Sequence, residues 1–283
     1  NELHRRGALT IYETDEGFRR DQADWMLRRE LGVFWEKVSG PELRELEPAL
    51  GTAANHAVLT PQWSHINDPK VLMDRLRKSL SARGVAFSTG EVRHVADTSS
   101  GARILLADGT TIVSDRVVVA AGAWSGLLSK QLGDPVLLES ERGYNTTIMN
   151  SGVSLEREII FAERKFVATP LSCGLRIGGA AEFGGLDATP NYKRSKALVK
   201  LAKIYLPGLN STEGVNWAGH RPATPDSLPV IDRSKHAPHV FYAFGHGHLG
   251  LTQAATTGRL VADIILNRTP PIDLSPYSVS RFA

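Results

Sequence analysis

The glycine- and histidine-rich stretch from Gly245 to Gly250 is the part of the sequence best suited to hold a ligand. It lies between a strand-like run at 239–244 and a helical pattern at 251–266. Glycines let a ligand approach the backbone, and a helix N-terminus offers unpaired N–H groups with a partial positive charge. The stretch therefore predicts a corner that binds an anionic or electron-rich group.

Two interpretations of this corner stay open and a third is disfavoured. The stretch matches G-x-G-x-x-G, but a dinucleotide fingerprint needs a following strand with an acidic residue about 20 positions on. Here the helical pattern runs into Asn-Arg-Thr-Pro-Pro at 267–271 instead. The corner is then either a structural glycine turn or a loop whose amides face a flat ligand. A flavin ring is the natural candidate, because its N1 and C2 carbonyl gain negative charge on reduction.

Arg221 is the side chain best placed to bind a substrate. It lies in the dense stretch 219–229, at the expected junction of two domains, and Pro222 restricts its backbone. A guanidinium held in one position suits bidentate binding of a carboxylate. The alternatives are a surface arginine and an ion pair within the protein. Asp226, a few residues on, is expected to cap a turn.

The other chemistry-bearing side chains give weaker signals. His246 and His248 are spaced His-x-His, but no acidic or cysteine partner follows at a metal-site spacing, so we expect no metal and disfavour a metal-dependent hydrolase. Tyr144 and Tyr192 are candidate active-site tyrosines or ordinary core residues, with Tyr144 favoured. Glu182 closes a glycine-rich strand end that a ligand or another backbone segment could approach.

Composition limits the classes of protein that the chain can belong to. Its 283 residues are 42% hydrophobic and 22% charged with a net charge of +3, as in a soluble globular protein. The 33 basic residues are spread evenly, so no nucleic-acid partner is expected. No apolar run is long enough to span a membrane. The single cysteine, Cys173, excludes an internal disulfide.

The elements that must position these residues alternate in character along the chain. Parallel-type strands and helices are predicted at 69–134 and from 222 onward, whereas short strands with one helix fill 135–217. The apolar run 116–120 predicts a buried parallel strand that ends at Ala121 and Gly122. The fold class is therefore α/β plus α+β, in two interleaved domains.

Several motifs together resemble the FAD-dependent amino-acid oxidase and dehydrogenase superfamily. Arg-Pro-x-Thr-Pro-Asp at 221–226 precedes a strand, and Gly-His-Gly-x-Leu-Gly-x-Thr at 245–252 opens a helix, as at the C-terminus of that family. The stretches 7–12, 43–50, 142–144 and 176–185 follow in family order, so nearly the whole chain is covered. Within the superfamily the chain most resembles the small-subunit group of bacterial D-amino-acid dehydrogenases.

The resemblance implies a role for each candidate residue. It implies FAD as cofactor and a D-amino acid as substrate, which is oxidised to an imino acid and then hydrolysed to the 2-oxo acid. Arg221 would hold the substrate carboxylate, with Tyr144 and His220 in the substrate site. No catalytic residue is assigned. The residues that would contact FAD are Val92 on the adenine side, Ala121, Gly122 and Trp124 at the strand end, and Gly245, His246, Gly247, Leu249, Gly250, Leu251 and Thr252 along the flavin.

The resemblance also implies a division of the chain. Residues 1–67 and 135–221 would form the antiparallel-sheet substrate domain, and 69–134 and 222–283 a Rossmann-like FAD-binding domain. The family's N-terminal β-α-β fingerprint does not occur in the chain, so the FAD-binding domain is expected to be partial. We expect residues upstream of Asn1, and weak retention of FAD by these 283 residues without them.

Departures from the family keep other functions open. His220 stands where the family often has leucine, and Ser227 where glycine is common. Glycine-, sarcosine- and opine-type oxidases carry similar C-terminal motifs, and a non-catalytic fragment or subunit without its own flavin is a further alternative. The expected partners are an amino-acid substrate and, as an open option, a second subunit. The expected location is the cytoplasm, with peripheral association at the inner membrane as the alternative.

Overall fold

The computed structural model describes residues 2–282 as a mixture of strands and helices. In chain order these are β1 (Leu3–His4), β2 (Ala8–Tyr12), α1 (Asp15–Arg20), α2 (Gln22–Glu30), β3 (Glu36–Ser39), α3 (Gly40–Leu46), β4 (His56–Thr60), β5 (His65–Ile66), α4 (Pro69–Ala82), β6 (Val92–Thr98), β7 (Gly101–Leu106), β8 (Thr111–Ser114), β9 (Val117–Val119), α5 (Ser125–Gln131), β10 (Glu139–Ile148), β11 (Glu158–Phe161), β12 (Phe166–Leu171), β13 (Gly174–Phe183), α6 (Lys193–Tyr205), β14 (Val215–Ala223), β15 (Val230–Arg233), β16 (Val240–Phe244) and α7 (Gly250–Ile265).

The chain divides into two compact units, each entered three times. Unit 1 contains residues 1–86, 143–181 and 190–218, and unit 2 contains 87–142, 182–189 and 219–283. The helix α4, which the sequence places in the FAD-binding domain, falls within unit 1. The strands β10, β13 and β14 each begin in one unit and end in the other.

Unit 1 is built on a large, mainly antiparallel sheet. Its strand order is β14-β10-β13-β12-β11-β2-β4-β3, and the pairing of β11 with β2 is parallel. Alternate residues of these strands, such as Leu9, Ile159 and Ile177, are fully buried. They share one core with Leu198 and Ala202 from α6, since the apolar residues of that helix recur on one face. An antiparallel sheet with a helix packed on it matches the expected α+β part.

The sequence predicts a single helix over 14–32, because Thr14 is a plausible N-cap and Gly32 a plausible end, but the structure differs there. Two helices form, α1 and α2, and they meet at Asp21. The Asp21 carboxylate accepts a hydrogen bond from the Tyr12 hydroxyl at 3.1 Å, and the Trp25 indole donates to the same hydroxyl at 2.7 Å. This buried polar network fixes the break, and no glycine or proline marks it in the sequence. Thr14 caps α1 as predicted, accepting from the Gly17 amide at 2.9 Å.

Unit 2 contains the parallel-type part of the fold. In the sheet β15-β16-β9, β9 and β16 run parallel, which confirms the parallel strand predicted at 116–120. Its burial is one-sided, because Val117 and Val119 are buried and Val118 is 40% exposed. The helix α7 buries Leu260 and Val261 against Ile231 of β15. A second sheet, β6-β7-β8, contains the hairpin that the Asp-Gly pair at 108–109 predicts between two apolar runs, and Gly109 has a φ of +87° in its turn.

Ser227 occupies the left-handed region of backbone space, with a φ of +60°. Its amide donates to the Thr224 carbonyl at 3.1 Å, and the Leu228 amide donates to the Asp226 carboxylate at 3.1 Å, so Asp226 caps this turn as predicted. A left-handed turn explains why glycine suits the position, because glycine has no Cβ to clash with the following carbonyl.

We expect Ser227→Gly to be more stable than Ser227→Ala by about 1–2 kcal/mol, because only glycine removes the left-handed penalty. Urea unfolding of the two variants measures the difference. Equal stabilities would mean that the turn accommodates a side chain without strain.

Candidate functional site

Arg221 lies on β14 beside a carboxylate of the neighbouring strand β10. Its guanidinium Nη1 is 3.4 Å from Oε1 of Glu141, and the two side chains are 26% and 15% exposed. Burial lowers the pKa of Arg221, and the charge of Glu141 opposes that shift. The guanidinium stays protonated at neutral pH, because even a lowered arginine pKa lies far above it. Arg221 is therefore a half-buried cation that already holds one carboxylate.

Glu141 also contacts the glycine loop. Nε2 of His248 lies 2.8 Å from the same oxygen of Glu141 that faces Arg221. Because an ionised carboxylate only accepts, the histidine nitrogen is the donor. His248 is 60% exposed and Glu141 is largely covered. A single carboxylate thus links the proposed substrate anchor to the loop that was expected to face a flavin.

The residues on either side of Glu141 alternate to the other face of β10 and meet His220 there. Nδ1 of His220 lies 2.6 Å from the Ser140 hydroxyl, and the Trp124 ring packs edge-on against it at 5.1 Å. Arg142 is only 2% exposed and lies 3.6 Å from Glu182. Burial, together with the positive charge of Arg142, lowers the pKa of His220, so the imidazole is neutral at neutral pH.

The glycine loop is shaped to admit a ligand. Gly245 and Gly247 have φ values of +84° and +51°. A Cβ on Gly245 would lie 3.1 Å from a Thr224 methyl group, whereas a Cβ on Gly247 would meet no atom within 4 Å. The first residue before α7, Leu249, provides no side-chain cap, so the amides that open this 16-residue helix remain available to a ligand. The open space beside Gly247 and these amides fit the pyrimidine edge of a flavin.

The two histidines of this loop have separate partners. Nε2 of His246 lies 2.9 Å from the Thr257 hydroxyl within α7, and burial lowers the pKa of His246. His248 contacts Glu141 instead. Within residues 2–282 no group of three or more histidine, cysteine, aspartate or glutamate side chains is arranged to hold a metal ion.

One cavity of about 510 Å³ in unit 2 brings together Val92, predicted on the adenine side, and two residues predicted at the strand end, Ala121 and Trp124. Val92, Ala121 and Trp124 lie on its wall together with Leu127 and Leu128. Trp124 is 48% exposed, which leaves an aromatic face open. Gly122, next to this cavity, has a φ of +56° and open space where a Cβ would stand. Its wall is mostly apolar, with one aromatic ring at Trp124 and polar side chains at Glu91, Arg93 and Gln131.

Both candidate active-site tyrosines, Tyr192 and the favoured Tyr144, lie in unit 1. Tyr144 is 1% exposed, its hydroxyl accepts from the Asn191 amide at 3.0 Å, and its ring packs edge-on against Tyr192. These contacts are those of a core residue, which was the alternative interpretation. The other predicted residues belong to unit 2: Arg221, His220, Val92, Ala121, Gly122, Trp124, Gly245, His246, Gly247, Leu249, Gly250, Leu251 and Thr252.

Sequence reasoning missed Glu141, His248 and Ser140 as members of this site. Glu141 and Arg221 are 80 positions apart, and Glu141 and His248 are 107 apart. The pattern Glu-Ser-Glu-Arg at 139–142 could belong to any exposed strand. The sequence offered one clue to Ser140 and Glu141, which is that they immediately precede the Arg-Gly-Tyr motif at 142–144. No helix among residues 2–282 is long and apolar enough to cross a membrane.

Known proteins resemble this chain in sequence and in fold. A D-amino-acid oxidase of Bradyrhizobium diazoefficiens is 33% identical over 284 aligned positions, which cover 99% of this chain and 67% of that protein. Among solved structures, glycine oxidase from Geobacillus kaustophilus superposes with a TM-score of 0.88 at 23% identity, covering 100% of this chain and 76% of that one. Iminodiacetate oxidase from Chelativorans sp. BNC1 gives 0.83 at 20% identity, covering 98% and 76%.

The structural likenesses fall below 25% identity and concern the fold. The family is established by the curated relative and by a family model, described as FAD dependent oxidoreductase, that matches residues 1–264. The chain belongs to the family of FAD-dependent oxidoreductases that act on amino acids.

Proposed function

We propose that this chain oxidises a D-amino acid, or a closely related amine, to the imino acid in a site built around Arg221 and the glycine loop. The observation that carries the proposal is the contact chain within unit 2, in which Glu141 touches both Arg221 and His248 of the loop. An anchor for a substrate carboxylate and a loop suited to a flavin therefore lie one side chain apart. A non-catalytic subunit would have no need for this arrangement.

Arg221 acts as the carboxylate anchor in this account. Its guanidinium is half-buried on a strand, and the residue after it is a proline, so its backbone has little freedom. The contact with Glu141 uses Nη1, and a guanidinium has five N–H donors, so a substrate carboxylate can bind beside Glu141. A charge-assisted pair at such a position orients the substrate as well as binding it.

FAD, when bound, supplies the acceptor for the hydride that leaves the substrate Cα. The residues that would hold it are the amides from His246 to Thr252 at the start of α7, with Val92, Ala121 and Trp124 around the adenine-side cavity. The helix N-terminus stabilises negative charge on the ligand edge that it faces. The neutral His220 packs against Trp124 on the face of β10 opposite Glu141.

The choice of a D-amino acid rests on the relative that shares 33% identity, a D-amino-acid oxidase. Product analysis tests it. The FAD-loaded protein is incubated with D-alanine, L-alanine, glycine, sarcosine and an opine, with a dye as electron acceptor, and 2-oxo acid and ammonia are measured. We expect the highest turnover with a D-enantiomer. A preference for sarcosine or an opine would place the chain with the secondary-amine oxidases.

The glycine loop gives a separate prediction for cofactor binding. We expect Gly247→Ala to weaken FAD binding at least about tenfold, because the new Cβ fills the open space beside the loop and the left-handed backbone adds strain of about 1–2 kcal/mol. The measurement is the dissociation constant of FAD from the apoprotein, by fluorescence.

The matched control is Gly109→Ala, in the hairpin turn of the same unit. Gly109 also has a positive φ, at +87°, and open space around a Cβ. The two variants therefore carry a similar backbone cost, and only the one in the loop should lose FAD. Equal affinities in both would mean that the flavin does not approach Gly247.

A further inference from the structure

We propose that Glu141 binds the ammonium group of the amino-acid substrate and removes a proton from it. This inference rests on the proposed function of the Arg221 site and adds a catalytic residue to it. The sequence offered no catalytic acid or base for this reaction. The structure supplies one carboxylate that contacts the arginine and lies against the glycine loop.

The opposite charges of Arg221 and Glu141 have a spacing that matches an amino-acid zwitterion. The guanidinium nitrogen of Arg221 and the carboxylate oxygen of Glu141 are 3.4 Å apart. An α-amino acid carries its carboxylate and its ammonium on the same carbon atom, so its two charges are separated by a similar distance. A zwitterion laid across the pair places its carboxylate on Arg221 and its ammonium on Glu141. A substrate without an amine satisfies only half of this arrangement.

Glu141 and Arg221 are both largely covered from solvent. Glu141 is 15% exposed and Arg221 is 26% exposed, so bulk water solvates neither group fully. Fewer water molecules then compete with an ammonium for the oxygens of this carboxylate, so an ionic contact made here is stronger than the same contact in water. Glu141 therefore binds an ammonium more tightly than an exposed glutamate on a strand would.

Oxidation of an amino acid requires that its ammonium group first loses a proton. A Cα–H bond can break with both electrons leaving as hydride only if the nitrogen lone pair is free to form the C=N bond. An ammonium has no free lone pair. One N–H bond breaks, its electron pair stays on nitrogen, and the proton forms an O–H bond on Glu141. FAD, which the family implies, would supply the acceptor for the hydride, so atoms and electrons would balance without another reactant.

His248 positions this carboxylate. Its Nε2 donates to Glu141 at 2.8 Å and holds the oxygen that faces Arg221. Within residues 2–282, Arg221 and His248 are the charged or titratable side chains that contact Glu141. His248 is 60% exposed, so solvent reaches the neighbour of this carboxylate. Glu141 can lose its proton to that solvent after the reaction.

The decisive experiment is the pH dependence of kcat/KM for D-alanine in the FAD-loaded protein and its Glu141→Gln variant. We expect the wild-type value to stay flat at neutral pH, because Glu141 makes the free amine within the site. The variant can use only the fraction of substrate whose amine is already deprotonated in solution. Its kcat/KM should fall about 100-fold or more at pH 7 and rise tenfold per pH unit up to the pKa of the free amine. Above that pKa it should come within about threefold of the wild type.

Controls separate this role from a structural one. Glu139→Gln removes an exposed carboxylate from the same strand and should keep the wild-type profile. Glu141→Asp keeps a base and should keep a flat profile even if its maximal rate falls, so it also serves if the glutamine variant folds poorly. A parallel loss for Glu141→Gln at every pH, or a flat profile in that variant, would overturn the inference.

A binding measurement tests the same role without turnover. Propionate differs from D-alanine by the absent amine, so calorimetry with the two ligands isolates the ammonium contact. We expect the wild type to prefer D-alanine, and Glu141→Gln to lose at least about tenfold of that preference through weaker D-alanine binding. An unchanged ratio would exclude the contact. If the wild type oxidises no amino acid yet shows the ratio, the proposed function fails and the ammonium contact stands.

Discussion

Replacing Arg221 with alanine will lower kcat/KM for an amino-acid substrate by about 30- to 5,000-fold, which corresponds to about 2–5 kcal/mol. The substrate carboxylate would then enter a half-buried site without its partner, and Glu141 would repel it. Arg221→Lys should recover little, because an ammonium does not reproduce the planar fork. The measurement is steady-state kinetics of both variants with a flavin spectrum of each preparation.

The spectrum is part of this test, because the account places Arg221 in the substrate site and not in the cofactor site. Flavin content should stay unchanged in both variants. Arg116→Ala, which removes an exposed arginine of the same unit, should leave kcat/KM unchanged. A loss below about threefold for Arg221→Ala, under 1 kcal/mol, would make the arginine a structural residue.

Replacing Glu47 with alanine will destabilise unit 1 by about 3–5 kcal/mol. Glu47 is fully buried at the end of α3 and accepts hydrogen bonds from the amides of Glu156 at 3.1 Å and Arg157 at 3.0 Å. The Arg157 guanidinium lies 3.7 Å from the same carboxylate. Alanine would leave the largely buried Arg157 without its counter-charge and the two amides without an acceptor. Denaturant unfolding measures the loss, and a change below 1 kcal/mol would contradict this account.

The same residue gives a pH dependence. Burial raises the pKa of Glu47 to about 7 from an ordinary value of 4.5, against the opposing charge of Arg157. The folded state therefore binds more protons than the unfolded state between these values, so stability falls as pH rises from about 4.5 through about 7. Glu47→Gln cannot titrate. Unfolding curves at pH 5 and pH 8 should show a larger loss in the wild type than in Glu47→Gln, and equal losses would refute the shift.

The elements of the site were predictable because their signals are local. The glycines before α7 and the proline after Arg221 restrict backbone shape within a few residues, and the hairpin at Asp108-Gly109 follows the same logic. The parallel strand ending at Ala121 was visible as an uninterrupted apolar run. In each case the local pattern and the final structure agree.

The contacts that complete the site were not predictable, because they depend on which strands become neighbours. Glu141 meets Arg221 only because β10 lies next to β14, two strands far apart in sequence. The break between α1 and α2 likewise depends on Tyr12, a strand residue that bonds to Asp21. Periodicity reports which face of an element is buried and does not report what that face will meet.

The most direct test of the central claim is an anaerobic mixing experiment with the FAD-loaded protein. The visible absorption band of the flavin is followed after addition of D-alanine, with L-alanine and propionate as matched controls. The account predicts that D-alanine bleaches the band and that propionate, which has no amine to oxidise, does not. The bleaching should slow by at least about 30-fold in Arg221→Ala. A band that no amino acid or amine bleaches would contradict the assignment of this site to amino-acid oxidation.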